Sequence, residues 1–283
     1  MGTDSGTGTG TVADHSRPSL RPRPAAIMAI LNCTPDSFSD GGACPTVAAA
    51  VSKAQQLIQD GAAWLDLGGE SSRPGATPVD AASEAARVVP VILALRQAGI
   101  TVPLSIDTTK ATVAEAALAA GATAINDISA GSDPRMFALA AAADCELILM
   151  HMSGTPQTMQ RAPQYADIVA EVQAFLSARV AAAMAAGVKR NRLLVDPGIG
   201  FGKTVAHNLA LLRALPSLGA NLDLPLVVGL SRKRFLAATA GTAYPADDCL
   251  GHPLHALLAP WCALLRVHDV AGTMHALRAA EMA

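Results

Sequence analysis

From residue 27 onward the chain alternates, eight times over, a short apolar run with a longer alanine-rich stretch, and few folds accept that rhythm. The runs fall at 27–32, 63–68, 103–107, 124–128, 146–151, 193–196, 226–230 and 263–268. Helix-like segments follow near 46–59, 80–98, 110–120, 134–143, 166–186, 206–217, 232–240 and 272–281. Apolar runs this short, without alternation, read as strands covered on both faces. Strands separated by helices call for right-handed crossovers and a parallel sheet. Eight such units in about 250 residues predict an α/β (β/α)8 TIM barrel, a single domain over 25–283. The alternative is a doubly wound open sheet, which carries a glycine-rich loop after its first strand. Here the first run leads instead into Asn32-Cys-Thr-Pro-Asp-Ser-Phe38.

Composition agrees and excludes other classes. The chain is 51% hydrophobic and 16% charged, enough apolar surface to offset the entropy of ordering. A net charge of −2 offers no electrostatic footprint for nucleic acid or an anionic membrane. The weakly charged stretch 254–265 is shorter than the ~20 residues a membrane span needs. Residues 1–24, rich in Gly, Thr and Pro, lack the apolar region of a signal peptide and are expected to form a disordered tail. Five scattered cysteines without a Cys-x-x-Cys pair indicate neither a disulfide framework nor a zinc site, as suits a reducing cytoplasm.

Polar residues concentrate where the apolar runs end: Asn32, Glu70, Asp107, Asn126, Asp127, His151, Asp196, Ser231 to Arg234, Arg266 and His268. Loops begin with polar residues in any protein, which accounts for one or two of these, Glu70 and Asp127 among them. An ionisable or amide group at nearly every strand end is different. In a barrel those ends converge on one face, where catalytic groups sit. The glycine-rich Asp196–Lys203 segment is not a Walker A loop, because Pro197 stands six residues before the lysine. It reads as a tight turn that aims Asp196 into the barrel mouth. Three cations, Arg232, Lys233 and Arg234, follow the seventh run, and Arg266 and His268 share a face of the eighth. Together they suggest a phosphorylated ligand. His151 and Met152 read as pocket wall, without chemistry.

These motifs, taken in order, resemble a known family. Ile30-Leu-Asn-Cys-Thr-Pro-Asp-Ser-Phe-Ser-Asp-Gly-Gly42 and Leu67-Gly-Gly-Glu-Ser-Ser-Arg-Pro-Gly75 are similar to the two signatures of dihydropteroate synthases. Ser105-Ile-Asp-Thr108, Ile125-Asn-Asp-Ile128, Leu149-Met-His-Met152, the Asp196–Lys203 segment, Ser231-Arg-Lys233 and Arg266-Val-His-Asp-Val270 follow in the family's order. The resemblance implies condensation of 6-hydroxymethyl-7,8-dihydropterin diphosphate with p-aminobenzoate, giving 7,8-dihydropteroate and pyrophosphate for folate synthesis, and sensitivity to sulfonamides. It implies a pterin pocket of Asp107, Asn126, Met150, Asp196, Lys233 and Arg266. It implies diphosphate contacts from Asn32, Arg73, Arg266 and His268, with Mg²⁺ on Asn32. It also implies a p-aminobenzoate site of Thr34, Pro35, Ser72, Arg73, Phe201, Lys233 and Arg234, with Asn32, Asp107, Lys233, Arg266 and His268 central to catalysis.

The chain departs from the family at Ala29, Cys33 and Ser72, and most at 248–262, where Pro253 and Pro260 interrupt an alanine-rich helix. Proline inside a helix costs ~3 kcal/mol or more, so that helix is expected to break or change course. A homodimer through the outer helices, which the resemblance implies, is thereby put in question. One rival function is a pterin-binding methyltransferase domain, which has no use for Arg73, the Ser231–Lys233 run or His268 on a diphosphate. Another is a catalytically inactive paralogue that acts as a binding module, against which the presence of every diphosphate and pterin residue argues.

Overall fold

The computed structural model describes residues 25–34, 46–243 and 247–282. The tail 1–24 and Pro35 lie outside the described residues. Eight parallel strands appear in the expected places: β1 Ala26–Asn32, β2 Trp64–Gly68, β3 Leu104–Asp107, β4 Ala124–Asp127, β5 Glu146–Met150, β6 Leu193–Asp196, β7 Val227–Gly229 and β8 Leu264–Val267. Their order is β6-β5-β4-β3-β2-β1-β8-β7. A parallel bridge from Val195 to Leu226 joins the two ends of that series and brings the sheet round into a barrel.

Helices cover the outside: α1 Val47–Gln59, α2 Ala81–Gln97, α3 Ala111–Ala119, α4 Met136–Ala143, α5 Ile168–Ala185, α6 Val205–Leu222, α7 Arg234–Ala240, α8 His252–Leu258 and α9 Val270–Glu281. Thr46, Asp80, Asp167, Thr204 and Asp269 each accept a hydrogen bond from a first-turn amide, which fixes where those helices begin. Helix α5 is long and apolar enough to cross a membrane, yet Ile168, Val172, Leu176, Val180 and Ala183 are buried against the rest of the barrel.

The 248–262 segment accommodates its prolines as the sequence requires. Helix α7 stops at Gly241, and the chain restarts as α8 with Pro253 in its first turn, followed by the 3-10 turn Ala259–Trp261 with Pro260 as its second residue. Proline at a helix start removes only an amide that has no partner there.

Two apolar cores hold the strands. The larger lies between barrel and helices. The smaller, made by Met28, Ile148, Leu194, Val227 and Leu264 with Ala26 and Trp64, fills the bottom of the barrel. Two residues up the strands from Trp64, Ile148, Leu194 and Leu264 stand Asp66, Met150, Asp196 and Arg266. Strand periodicity points them the same way, into the barrel. The interior thus changes from apolar to ionic within one layer, toward the carboxyl ends of the strands.

Candidate active site

The floor of the mouth is a buried ion network. Arg266 donates from Nε to Asp66 Oδ2 (2.6 Å) and from Nη2 to Asp107 Oδ2 (2.7 Å). Asn126 Nδ2 donates to the same Asp66 oxygen (3.1 Å). Burial works against the Arg266 charge, but Asp66 and Asp107 outweigh it and hold the guanidinium above its ordinary range. Burial raises Asp107 to about 7 even though Arg266 pulls the other way, and Asp66 adds to the rise. Asp66 Oδ1 and Ser105 Oγ are buried without a hydrogen-bond partner. Orphaned polar atoms are costly, and their clustering marks a place shaped for something other than packing.

Asp196, on β6, is also raised by burial, while Lys233 works to lower it. Its Oδ1 accepts from Gly198 N (2.6 Å), which anchors the turn after the strand. Gly198 has φ +68°, and a Cβ there would stand 1.8 Å from the His151 carbonyl oxygen, so only glycine lets the turn pass. The turn carries Phe201 over the mouth, where Lys233 Nζ sits 4.7 Å from the ring centroid and donates to the Ile199 carbonyl. Burial pulls Lys233 down to about 8. Lys203 donates to the Phe201 carbonyl (2.9 Å) and lies 2.9 Å from His151 Nδ1. His151, packed edge-on to Phe175, is pulled down to about 3 by burial. It is buried and does not line the cleft above; its ring holds Lys203 in place.

Above this floor opens a cleft of about 1230 Å³. Asn32 and Thr34 enter it from the end of β1, Ser72 and Arg73 from the β2–α2 loop, and Asp107 from β3. Phe201, Lys233, Arg234, Arg266 and His268 complete it from the last three strands. Asn126, Met150 and Asp196 do not line it; they lie beneath, each buried. The described residues inferred for the diphosphate and amine thus share the open cleft, Pro35 lying outside the described residues, and part of the inferred pterin set forms its base.

The β2–α2 loop is tied at both ends. Val79 N donates to Glu70 Oε1 (3.1 Å), Lys110 pairs with Glu70 and with Glu84 Oε2 (2.5 Å), and Arg87 Nη1 donates to the Gly69 carbonyl (2.7 Å). At its tip Gly75 N donates to the Pro156 carbonyl (3.1 Å), and Gln157 Nε2 to that of Ala76 (3.1 Å). Glu70 and Asp127 therefore have structural work. Asp127 accepts from Ser129 N (2.8 Å) and Gly131 N (2.6 Å) to shape the turn after β4.

Asp66 was missed by looking only at strand ends. Its signal was an acid in the middle of Trp64-Leu-Asp-Leu-Gly68, where a buried strand has no reason for one unless it is paired. Asp248, in the atypical segment, is the second residue that strand ends could not reveal: it reaches Ser231 and Arg232 in the mouth.

An eight-stranded barrel with an ionic floor and a cationic cleft at its carboxyl-end face is the arrangement of a pterin-binding enzyme. A family described as "Pterin binding enzyme" matches residues 28–261. The dihydropteroate synthase of Synechocystis sp. is 44% identical over 247 residues, 86% of this chain and 85% of the relative. Among solved structures, Yersinia pestis dihydropteroate synthase with a sulfonamide drug superposes with a TM-score of 0.85 at 41% identity, covering 92% of this chain and 94% of the other. The Xanthomonas albilineans dihydropteroate synthase complex with 7,8-dihydropteroate gives 0.80 at 43% identity, covering 91% and 93%. The chain belongs to the dihydropteroate synthase family.

Proposed function

We propose that the protein condenses 6-hydroxymethyl-7,8-dihydropterin diphosphate with p-aminobenzoate, releasing pyrophosphate, and that the barrel of residues 25–283 carries the whole reaction in the cytoplasm. The observation that carries this reading is the division of the mouth into an acidic, half-desolvated floor and a cationic rim. The floor suits the pterin edge, which presents adjacent donors and an acceptor. Asp107, Asn126 and Asp196 supply complementary groups, with Met150 as apolar wall, and an unmatched buried partner costs ~1–3 kcal/mol. Arg266, drawn out between Asp66 and Asp107, would lie against the ring and reach the diphosphate.

At the rim, Arg73, Arg266 and His268 would hold the diphosphate. The cleft also suits Mg²⁺. Asn32 offers an amide oxygen at its edge, and a hard cation commonly takes one protein ligand plus phosphate oxygens and water. When bound, it would neutralise charge on the leaving group. Thr34, Pro35, Ser72, Arg73, Phe201, Lys233 and Arg234 would receive p-aminobenzoate. Its aryl amine is neutral at pH 7 and needs no dedicated base. The amine lone pair forms the new C–N bond as the C–O bond to the diphosphate breaks, and the amine then loses a proton. Carboxylates of the floor stabilise positive charge on the pterin methylene, and the fixed cations of the rim stabilise the departing oxygen.

The cation run Ser231–Lys233 with Arg73 at a diphosphate distinguishes this reading from methyl transfer to a cobalamin protein. A homodimer would use the outer helices, where Leu257 and Trp261 are 69% and 52% exposed. Binding tests the substrate assignment. Calorimetry should show a sulfonamide binding more tightly, by about tenfold or 1.4 kcal/mol, once pyrophosphate and Mg²⁺ are present, because Arg73 would hold the pyrophosphate beside the amine site. Equal affinity with and without them would contradict an amine site built on Arg73.

A further inference from the structure

Asp248, which opens the proline-bearing 248–262 segment, has a direct line into the mouth. Asp248 Oδ2 accepts two bonds from Arg232, from Nε at 2.9 Å and Nη2 at 2.7 Å, which helps hold Arg232 in a left-handed backbone conformation with φ +59°. Its other oxygen, Oδ1, accepts the hydroxyl of Ser231 at 2.6 Å. Burial pushes the Asp248 carboxyl up, but Arg232 and Ser231 outweigh that and hold it below its ordinary value, so it is ionised and only accepts.

A serine hydroxyl has one proton to give. Ser231 gives it to Asp248, so toward His268, whose Nδ1 lies 2.9 Å away, Ser231 Oγ must accept. The backbone N of His268 donates to the same oxygen at 3.3 Å, which fills the remaining capacity of the hydroxyl. The ring proton of His268 is therefore on Nδ1. Its Nε2 bears a lone pair, in a residue that lines the cleft.

We propose that Asp248 is a positioning residue that fixes, through Ser231, the Nδ1–H tautomer of His268, so that His268 meets the diphosphate as a proton acceptor. This rests on reading the rim as a diphosphate site and adds a condition to it. An Nε2 lone pair cannot donate to an ionised phosphate oxygen. The complex must hold one further proton between Nε2 and that oxygen, taken from solvent or carried in on the phosphate; Nδ1 keeps its own proton and Asp248 stays a carboxylate. His268 is neutral before binding. Burial, Arg232 and Arg266 hold it down to about 3, Arg73 adds to that, and only Asp248 pulls upward.

Asp248→Asn is the informative change. Arg232, a donor only, keeps the amide oxygen, which leaves the amide NH₂ facing Ser231. Ser231 then accepts from Asn and turns its proton toward His268 Nδ1, which moves the ring proton to Nε2. Long-range ¹H–¹⁵N spectra of ¹⁵N-histidine-labelled full-length protein should show His268, assigned by its loss in His268→Gln, protonated at Nδ1 in the native protein and at Nε2 in Asp248→Asn. Pyrophosphate with Mg²⁺ should then bind the native protein with an affinity that falls more steeply from about pH 7 to 9, by up to about tenfold per unit, than it does in Asp248→Asn. Lys233 and Asp107 titrate nearby and contribute to both profiles, so the difference isolates His268. An Nε2–H tautomer in the native protein, or identical pH profiles, would overturn the proposal. Failure of pyrophosphate to bind either protein would instead overturn the diphosphate reading on which it rests, with the free-protein spectra still deciding the tautomer.

Discussion

Arg266 is shared between the fully buried Asp66 and Asp107, which opens to the cleft, and this one residue sets the electrostatics of the mouth. Asp66 is fully buried, so Asp66→Ala should remove one side of a buried pair and cost about 3 kcal/mol in urea unfolding. A loss within experimental error would mean that Asp107 alone satisfies the guanidinium. Asp107 makes a prediction of opposite character. Folded, it holds its proton to about 7; unfolded, it releases it near pH 4. Between those values the folded state binds more protons, so this group makes stability decline as pH rises from about 4 to 7 and leaves it level above. Asp107→Asn should be free of that decline when unfolding is compared at about pH 5 and 7, and parallel slopes in the two proteins would contradict the assignment. The strand-end residues of this site were legible in the sequence because the barrel gathers them by topology. Asp66 was less legible, since nothing local says that an acid inside an apolar run has found an arginine 200 positions away.

At the scale of elements, strands and most helices could be read within a residue or two, because most apolar runs end in polar residues and several helices begin at a capping side chain. The segment after β7 could be read only in part. Pro253 and Pro260 announce a break, but that both serve as starts, giving α8 and a 3-10 turn, depends on where the chain must travel to reach β8. Loop attachments were hidden for a related reason: they are side-chain bonds across distant positions. Lys110 ties Glu70, at the base of the β2–α2 loop, to the fully buried Glu84. Burial works against its charge, but Glu70 and Glu84 outweigh that and raise it above its ordinary value. Lys110→Met should free the loop and weaken sulfonamide binding by about tenfold while leaving pterin binding nearly unchanged. Equal weakening of both ligands would show that Lys110 supports the whole mouth and not this loop in particular.

The described molecule is an apolar barrel bottom supporting an ionic floor, with a cleft above it lined from the first three and last three strands. That order explains how a chain with 51% hydrophobic residues presents a cleft in which cations face carboxylates. It also explains why the chemistry is assigned to charge placement in a partly dry site, since such interactions are stronger there than in water. Condensation in this molecule requires both substrates to meet in this one cleft. The direct measurement is pyrophosphate release by the purified full-length protein supplied with 6-hydroxymethyl-7,8-dihydropterin diphosphate, p-aminobenzoate and Mg²⁺. The account predicts one pyrophosphate per 7,8-dihydropteroate formed, and loss of both products in Asp196→Ala with the fold retained. Pyrophosphate released without dihydropteroate, or undiminished condensation in Asp196→Ala, would contradict it.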